Sequence, residues 1–403
     1  MAIVSHITEN SEWMEVIASP GILLLLLGSV CGVIFAVMVK FVVSFFARLE
    51  KEKECRVAEF TFESPNSLNR IPAPSLYDDK ASKSLSVVIP AYNEEDRLPS
   101  TLEETVSYLQ RRRDACGPSF TYEVIIVDDG SKDDTSRVAF DYVKKHGVDA
   151  VRLLTLPHNR GKGHAVKAGI MCSRGKEVLF MDADGATGVS EIEKLETRLQ
   201  RLMSGGGSKD PQQRQATDEA HSPYSWERVG GSGLLAEQKA LVEQKKFLSG
   251  RLFEEKAGFV LGSRAHLQNE AMAKRTALRN VLMHGFHALV TLVIGNSIRD
   301  TQCGFKLMTR KAAQMIIPNQ RLQRWAFDVE LVHIAQSLKV PMDEVQVVWT
   351  EIPGSKVRMT SIAHIAFELA MIKIGYGIGA WSVELNSPGH IKALEGKNNK
   401  KAQ

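Results

Sequence analysis

The chain has 403 residues, 44% hydrophobic and 24% charged, a composition typical of globular proteins that excludes a wholly disordered, collagen-like or disulfide-scaffold protein. Its net charge of only +4, from 51 basic and 47 acidic residues, does not favour a nucleic-acid-binding surface. The five cysteines lack CxxC spacing, which indicates neither a zinc site nor a disulfide framework and favours a reducing compartment.

An uncharged run near the N-terminus, residues 21–39, is long enough to cross a bilayer as a helix. A cleaved signal peptide is the alternative, but the residues before the run carry three glutamates and no Lys or Arg. Basic residues follow the run instead, so the positive-inside rule places the long C-terminal part in the cytosol. We therefore predict a short lumenal N-terminus at 1–20, a transmembrane anchor at 21–47 and a charged, Pro- and Ser-containing juxtamembrane linker at 48–83.

Beyond the linker, short apolar runs that predict buried strands alternate with segments that predict helices. The predicted strands are 85–90, 122–130, 151–156 and 176–184, and the predicted helices are 98–113, a helix from Asp133 or Asp134 to 145, and 161–173. This alternation predicts an α/β fold with a doubly wound, mostly parallel sheet. Ligands of such sheets bind beyond the carboxyl ends of the strands.

The second half continues the pattern after one interruption. Residues 204–245 begin with a stretch rich in Gly, Ser and charge, which predicts a largely disordered surface insertion, with a functional lid as the alternative. We then expect a strand at 257–264, an apolar helix at 271–294, a turn and strand in 298–310, a helix at 324–338 and a last strand at 345–352.

The C-terminal region contains one more apolar helix, at 361–383, with few charges. It could pack on the core or lie in the membrane interface, and with an anchor already predicted we favour the interface. Residues 384–403 then form a basic tail.

Two acidic strand ends carry the strongest chemical signal. Asp128 and Asp129 end one predicted strand, and Asp182 and Asp184 end another. Two carboxylates separated by one residue can converge on a hard cation, and oxygen ligands select Mg²⁺ or Mn²⁺. Asp is also common in ordinary turns, so one DxD alone would be weak evidence. Two such ends in one parallel sheet favour a metal site shared with a phosphate-containing ligand.

The segment 158–163 opens a predicted helix with glycines and positive charge. Glycines allow close approach of the backbone to a ligand, the helix start offers free N–H groups, and Arg160 and Lys162 add cations. The GxxxxGK[ST] spacing of a Walker A motif is absent. The segment therefore predicts phosphate binding, with a plain helix cap as the alternative.

These segments together resemble the inverting family-2 glycosyltransferases of GT-A fold, through SVVIPAYNEE (86–95), VIIVDDGS (124–131), NRGKG (159–163) and FMDADGA (180–186). Later segments narrow the resemblance to the dolichyl-phosphate β-glucosyltransferases, which are endoplasmic reticulum membrane enzymes: 261–266, 279–287, 300–307, 325–330 and 354–356. The resemblance implies a GT-A domain at 84–360, with a Rossmann-like, mostly parallel sheet and helices on both faces. It also implies inverting transfer of glucose from UDP-glucose to dolichyl phosphate, for assembly of the N-glycan precursor.

The resemblance further implies roles for single residues on the donor side. A nucleotide-contacting loop would include Pro90, Tyr92 and Glu94. Asp128 would hold the base with Asp129 beside it, Lys162 matches the NRGKG lysine, and Asp182 and Asp184 would contact metal and ribose. Mannosyl relatives have a metal-binding Gln two residues beyond the DxD, where this chain has Ala186. That difference favours the glucosyl branch and leaves the third metal ligand open.

On the acceptor side, a phosphate monoester is largely dianionic at pH 7, because its second pKa is about 6. The site must therefore supply cations to hold this phosphate in line rather than a dedicated base. The candidate cations are Arg264, Arg275, Arg279 and Lys356. Asp328 and Glu330 resemble the acceptor-side acidic motif of the family; they could position an arginine or a sugar hydroxyl, act as a base, or form only a helix-surface salt bridge.

The resemblance implies a single-pass protein of the endoplasmic reticulum membrane whose catalytic domain faces the cytosol, with membrane lipid as a partner and no nucleic acid. The oligomeric state, a homo-oligomer included, stays open. A dolichyl-phosphate mannosyltransferase or another polyprenyl-phosphate glycosyltransferase is the first alternative. A membrane-tethered nucleotide-sugar-binding protein without enzymatic activity is the second.

Overall fold

A computed structural model describes residues 28–29, 32–33, 35–44, 47, 59–66, 69–77, 80–204, 256–265, 277–352 and 359–385. The chain divides into two compact units, residues 1–52 and 53–403. In the first unit the described positions are helical, with exposed side chains such as Val33, Phe35 and Phe41. No helix within these described ranges combines the length and the apolar character needed to cross a membrane. The predicted anchor at 21–47 lies partly outside them and stays a prediction.

In its described part, the second unit is built on one mixed sheet with the strand order β2-β1-β5-β4-β3-β6-β8-β7-β9. The strands are β1 (Thr61–Phe62), β2 (Ile71–Pro72), β3 (Lys83–Ala91), β4 (Tyr122–Asp128), β5 (Val151–Thr155), β6 (Gly175–Met181), β7 (Phe259–Ser263), β8 (Phe305–Thr309) and β9 (Met342–Gln346). The central strands β5, β4, β3 and β6 are parallel, as the sequence predicts. The prediction of a mostly parallel sheet is wrong for the flanks, because β8 runs antiparallel to both β6 and β7, and β1 runs antiparallel to β5.

Helices cover both faces of this sheet, as predicted. The α-helices in the described part of this unit are α1 (Leu98–Cys116), α2 (Thr135–His146), α3 (Lys162–Met171), α4 (Ile192–Met203), α5 (Ala277–Ile294), α6 (Arg310–Ile316), α7 (Phe327–Ser337) and α8 (Met359–Gly377). One face packs on α1, α2 and α4, where Leu102 and Leu195 join a hydrophobic cluster with Val87 of β3. On the other face α3 approaches β3 so closely that a Cβ on Gly169 would collide with Val88.

Two other predictions differ from the structure. The linker at 48–83 contains β1 and β2, and β1 extends the sheet by pairing with β5. The predicted last strand at 345–352 is wrong in its bounds, since β9 ends at Gln346. Beyond β9 the chain leaves the sheet: the Thr350 N–H donates to the carbonyl of Ala186, on the loop after β6. The β-branched composition of this run predicted a strand where the chain instead follows that loop.

The topology brings several loops to one edge of the sheet. The ends of the central strands are level, because Ala91 pairs with Asp128 and Asp128 pairs with Thr155. Met181 at the end of β6 pairs with Phe305 at the start of β8, so the turn before β8 lies at this same edge. Strand β7 runs antiparallel to β8 and ends there too. Residues after β3, β4, β6 and β7 therefore meet the residues before β8.

Candidate active site at the carboxyl edge of the sheet

The two carboxylates that end β4 are buried and bound to backbone and hydroxyl groups. Asp128 accepts hydrogen bonds from the Ser131 N–H, at 2.9 Å, and from the Ser136 hydroxyl. Asp129 accepts from the N–H groups of Arg160 at 2.9 Å and of Gly161 at 2.8 Å. Burial raises the pKa of Asp129, although these two backbone hydrogen bonds act in the opposite direction. Asp129 thus fixes the loop before α3 against the end of β4.

The loop before α3 needs glycine at two positions. Gly161 has a φ of +109°, and a Cβ there would collide with the carbonyl of Gln323. A Cβ on Gly163 would collide with Phe327 of α7. The NRGKG segment is therefore held between the end of β4 and the residues that lead into α7.

Lys162, the first residue of α3, connects this loop to the end of β6. Its Nζ lies 2.5 Å from Oδ1 of Asp182. Burial alone would lower the pKa of Lys162, but the carboxylates of Asp182, Asp328 and Asp184 outweigh that effect and raise it. The lysine is therefore a permanent cation at the acidic end of β6.

Asp182 and Asp184 themselves remain partly exposed, with 33% and 27% of their side-chain surfaces accessible. The Asp182 N–H donates to the carbonyl of Gly304, at 3.1 Å, and a Cβ on Gly304 would collide with the Asp182 carboxylate. Oδ1 of Asp182 is buried but accepts no well-aligned hydrogen bond, despite its ion pair with Lys162. Hard carboxylate oxygens on partly exposed side chains, one of them with spare acceptor capacity, fit the preferences of Mg²⁺ or Mn²⁺. Over the described ranges, no three His, Cys, Asp or Glu side chains form a complete metal site.

The loop after β3 holds the predicted nucleotide-contacting residues. Pro90 lies within β3 and Tyr92 follows it, half-buried. The Glu94 carboxylate accepts two hydrogen bonds from Arg97, both at 2.7 Å. Arg97 also lies 3.9 Å from Asp184, so it connects this loop to the DxD motif. Sequence reasoning did not single out Arg97, which opens α1 without a motif of its own.

On the other half of the edge, Arg264 follows β7 and pairs with Asp300. Its Nε and Nη2 donate to the Asp300 carboxylate at 2.8 and 3.0 Å. Burial alone would raise the pKa of Asp300, but the Arg264 guanidinium outweighs it and lowers that pKa. The guanidinium carbon also lies 5.5 Å from the Trp349 ring centroid. Arg264 is therefore held in a fixed orientation at the edge.

Asp328 of α7 is buried, so the alternative of a helix-surface salt bridge is wrong. It accepts a hydrogen bond at 2.5 Å from Lys306, which is completely buried in β8 and also donates to the carbonyl of Cys303. Burial raises the pKa of Asp328, while Lys306 and Lys162 act to lower it. Burial also raises the pKa of Cys303 to about 12, so this thiol fits a packing role rather than that of a nucleophile.

Glu330 is completely buried too, and it fixes the backbone of the segment that leads into α7. Its carboxylate accepts from the N–H groups of Arg321 and Leu322, at 3.0 and 2.7 Å, and from the Tyr376 hydroxyl of α8 at 3.1 Å. A second carboxylate of α8, Glu368, accepts from the Ala326 N–H, at 2.9 Å, just before α7 begins. These contacts join α8 to the start of α7 and place Glu330 among structural groups.

The remaining acceptor-side candidates are not placed by the structure. Arg275 and Lys356 lie outside the described residues, and for Arg279 only the backbone in α5 is described. The predicted insertion at 204–245 also lies outside them, except for Ser204. Asp300, Gly304 and Lys306 were missed as single residues, although they belong to a segment that carried the resemblance. Their roles depend on partners in other strands and helices, which spacing along the chain does not reveal.

Comparison with known proteins shows which family the chain resembles. The sequence model of glycosyl transferase family 2 matches residues 86–226. Dolichyl-phosphate beta-glucosyltransferase of Drosophila melanogaster is 43% identical over 81% of this chain and 85% of its own length. The protein of the same name from Homo sapiens is 43% identical over 77% of this chain and 81% of its own length. Glucosyl-3-phosphoglycerate synthase from Mycobacterium tuberculosis, solved with Mn²⁺, uridine-diphosphate and phosphoglyceric acid, gives a TM-score of 0.39 at 15% identity, over 74% of this chain and 80% of that chain.

Proposed function

The chain belongs to the dolichyl-phosphate β-glucosyltransferases, within glycosyl transferase family 2, and we propose that it transfers glucose from UDP-glucose to dolichyl phosphate with inversion at the anomeric carbon. The observation that carries the proposal is the junction of Lys162 with Asp182, at 2.5 Å. It joins a phosphate-binding helix start to a carboxylate suited to a divalent cation. Lys162 and Asp182 lie at the same edge of the sheet as Arg264, which directly follows β7.

On the donor side the residues of the chain hold loops and supply charge. Asp128 and Asp129 fix the turns on which the nucleotide would rest, through their hydrogen bonds to Ser131 and Gly161. We assign Mg²⁺ or Mn²⁺ to Asp182 and Asp184, with diphosphate or water as the further ligands. When bound, such an ion neutralises charge that develops on the departing diphosphate. Lys162 adds a positive charge, because nearby carboxylates raise its pKa and keep it protonated.

On the acceptor side the chain needs to orient a phosphate that is already ionised. Asp300 binds Arg264 through Nε and Nη2, and we assign Nη1 to the acceptor phosphate. Fixing this cation before the substrate arrives lowers the entropic cost of placing the nucleophile in line. Asp328 is engaged by Lys306 and Glu330 by backbone N–H groups, so both fit positioning roles better than that of a free base.

A long polyisoprenoid stays in the bilayer, so the enzyme must meet its headgroup at the membrane surface. We place the protein in the endoplasmic reticulum membrane through the single-pass anchor at 21–47, with the catalytic unit in the cytosol. Helix α8 supports this placement, because Ile372 on one side is buried while Phe367 and Ile374 are 38% and 41% exposed. An apolar surface of this kind suits a helix that lies in the membrane interface.

A transfer assay with radiolabelled sugar tests the proposal directly. Membranes that contain the full chain are supplied with dolichyl phosphate and either UDP-glucose or GDP-mannose, and the labelled lipid is extracted. We expect label only from UDP-glucose and loss of transfer with a chelator. Label only from GDP-mannose would reverse the choice of sugar, and donor binding without any transfer would favour the non-enzymatic alternative.

A further inference from the structure

The ammonium of Lys162 forms an ion pair with Asp182, one of the two carboxylates to which we assign a divalent cation. Its Nζ is 2.5 Å from Oδ1 of Asp182, and the next carboxylate that acts on it is Asp328. Lys306 holds Asp328 in place at 2.5 Å. The charges of Asp182, Asp328 and Asp184 all act on Lys162, and of these three carboxylates Asp328 is buried whereas Asp182 and Asp184 are partly exposed.

Asp182 has little freedom to serve two cations at once. The backbone at Gly304 lies directly against the Asp182 carboxylate, so that even one added methyl group would collide with it. Mg²⁺ binds carboxylate oxygens at about 2.0–2.1 Å, which would place the ion within a few ångströms of the Lys162 ammonium. Two cations so close together in a partly buried site repel each other strongly.

We propose that Lys162 is the resident counter-ion of Asp182 and leaves this carboxylate when a divalent cation and a nucleoside diphosphate bind together. The lysine then contacts the diphosphate, while Asp328 stays behind it as a fixed negative charge. This inference rests on the proposed function, because it takes the divalent cation and the diphosphate from there. It adds that the ligand-free enzyme binds the divalent cation weakly, because Lys162 occupies Asp182, and that the diphosphate raises the affinity for the cation.

The arrangement makes two ligands depend on each other. A cation that arrives alone must displace Lys162 without offering it a new partner, whereas a cation that arrives with diphosphate supplies one. Because such coupling is reciprocal, the cation must improve diphosphate binding by the same factor as the diphosphate improves cation binding. Lys162 is the group that sets much of this factor.

The test is a Mn²⁺ titration of the purified full-length protein, in which free Mn²⁺ is followed by electron paramagnetic resonance with and without UDP. In Lys162→Met we expect Mn²⁺ alone to bind about tenfold more tightly than in the wild type, because a like charge within a few ångströms is gone. We also expect UDP to tighten Mn²⁺ binding by a smaller factor than in the wild type. Lys162→Gln should behave in the same way, which guards against a folding defect in one variant.

Two controls define the result. Lys311→Met removes an exposed lysine of α6 and should leave both Mn²⁺ affinities unchanged. Asp182→Asn should abolish the binding that Lys162→Met strengthens. Equal Mn²⁺ affinities and equal UDP effects in wild type and Lys162→Met would overturn the inference, even where the wild type transfers glucose. Absence of metal-dependent transfer by the wild type would instead refute the proposed function, and the Mn²⁺ titration would still decide the role of Lys162.

Discussion

The two halves of the active-site edge differ in how their charges are satisfied. Beyond the parallel strands β4 and β6, Asp129 binds backbone N–H groups and Asp182 keeps a third of its surface accessible. Beyond the antiparallel strands β7 and β8, the charges are paired with each other: Arg264 with Asp300, and the buried Lys306 with a carboxylate of α7. The first half thus keeps a partly exposed carboxylate within reach of a divalent cation, although Lys162 is paired with it, whereas the charges of the second half are paired in the interior.

The difference has a physical reason. Buried ions are tolerated when each has a partner with good geometry, and breaking such a pair costs much more than the pair contributes. In the half beyond β7 and β8, where Arg264 pairs with Asp300 and Lys306 with Asp328, mutations are therefore expected mainly to lower the free energy of unfolding. We call this the paired half and the half beyond β4 and β6 the accessible half. At Asp182, in the half beyond β4 and β6, mutation is expected to act mainly through activity, because this carboxylate is partly exposed and has few structural contacts.

The largest effect is expected from Asp182→Asn. Loss of the charge that would hold the divalent cation should lower kcat/KM by about a factor of 10³, in the range typical of a key electrostatic group. The melting temperature should hardly change, because the side chain is 33% exposed. Transfer assays and thermal unfolding of the same preparation measure both quantities. Near-wild-type transfer would leave the contrast between the two halves without support.

Gly304→Ala tests the contact where the two halves meet. The added Cβ would collide with the Asp182 carboxylate and push it out of position. We expect a loss in kcat/KM of about a factor of 10², since displacement of about 1 Å from productive geometry has effects of this size. Gly285→Ala in α5 is the matched control, because a Cβ there meets nothing within 4 Å. Equal losses in both variants would point to a general effect of alanine.

Glu330→Gln probes the paired half. The amide keeps one acceptor oxygen where the carboxylate serves two backbone N–H groups and the Tyr376 hydroxyl. We expect the free energy of unfolding to fall by about 1–3 kcal/mol, the cost of unsatisfied buried polar groups. Denaturant unfolding measures this loss, and kcat per folded molecule should stay the same. A fall in kcat at unchanged stability would instead make Glu330 a catalytic group.

The smallest effect concerns a buried histidine in the accessible half. Burial lowers the pKa of His164 to about 3, whereas an unfolded chain protonates its imidazole near pH 6.5. The unfolded state therefore binds a proton that the folded state does not, and stability falls as the pH falls between these values. The loss from this group between pH 6.5 and 5.5 is about 1 kcal/mol.

Urea unfolding at the two pH values measures this loss. His164→Gln should show a shallower pH dependence than the wild type. Parallel pH dependences of wild type and His164→Gln would contradict a low pKa for this histidine.

The same contrast explains what the sequence could predict. Asp128 and Asp182 each follow an apolar run, and the carboxyl ends of parallel strands share an edge, so spacing was enough to predict that both lie at this edge. The pairing of Arg264 with Asp300 needs the antiparallel register of β7 and β8, which no local pattern specifies. For Asp328 the sequence left a helix-surface salt bridge open as an alternative, but α7 is packed by α5 as well as α6 and its acidic residues are buried.

The contact of Glu368 with the first turn region of α7 has a mechanical consequence. The first N–H groups of a helix have no partner within it, and here α8 supplies one of the acceptors, through the Ala326 N–H. A tilt of α8 that broke this contact would leave the Ala326 N–H, just before α7, without this acceptor. With α8 in the membrane interface, as proposed, a change in bilayer thickness or curvature would shift α8 and, through Glu368, the start of the helix that carries Asp328. The turnover rate would then depend on the lipid composition around the enzyme.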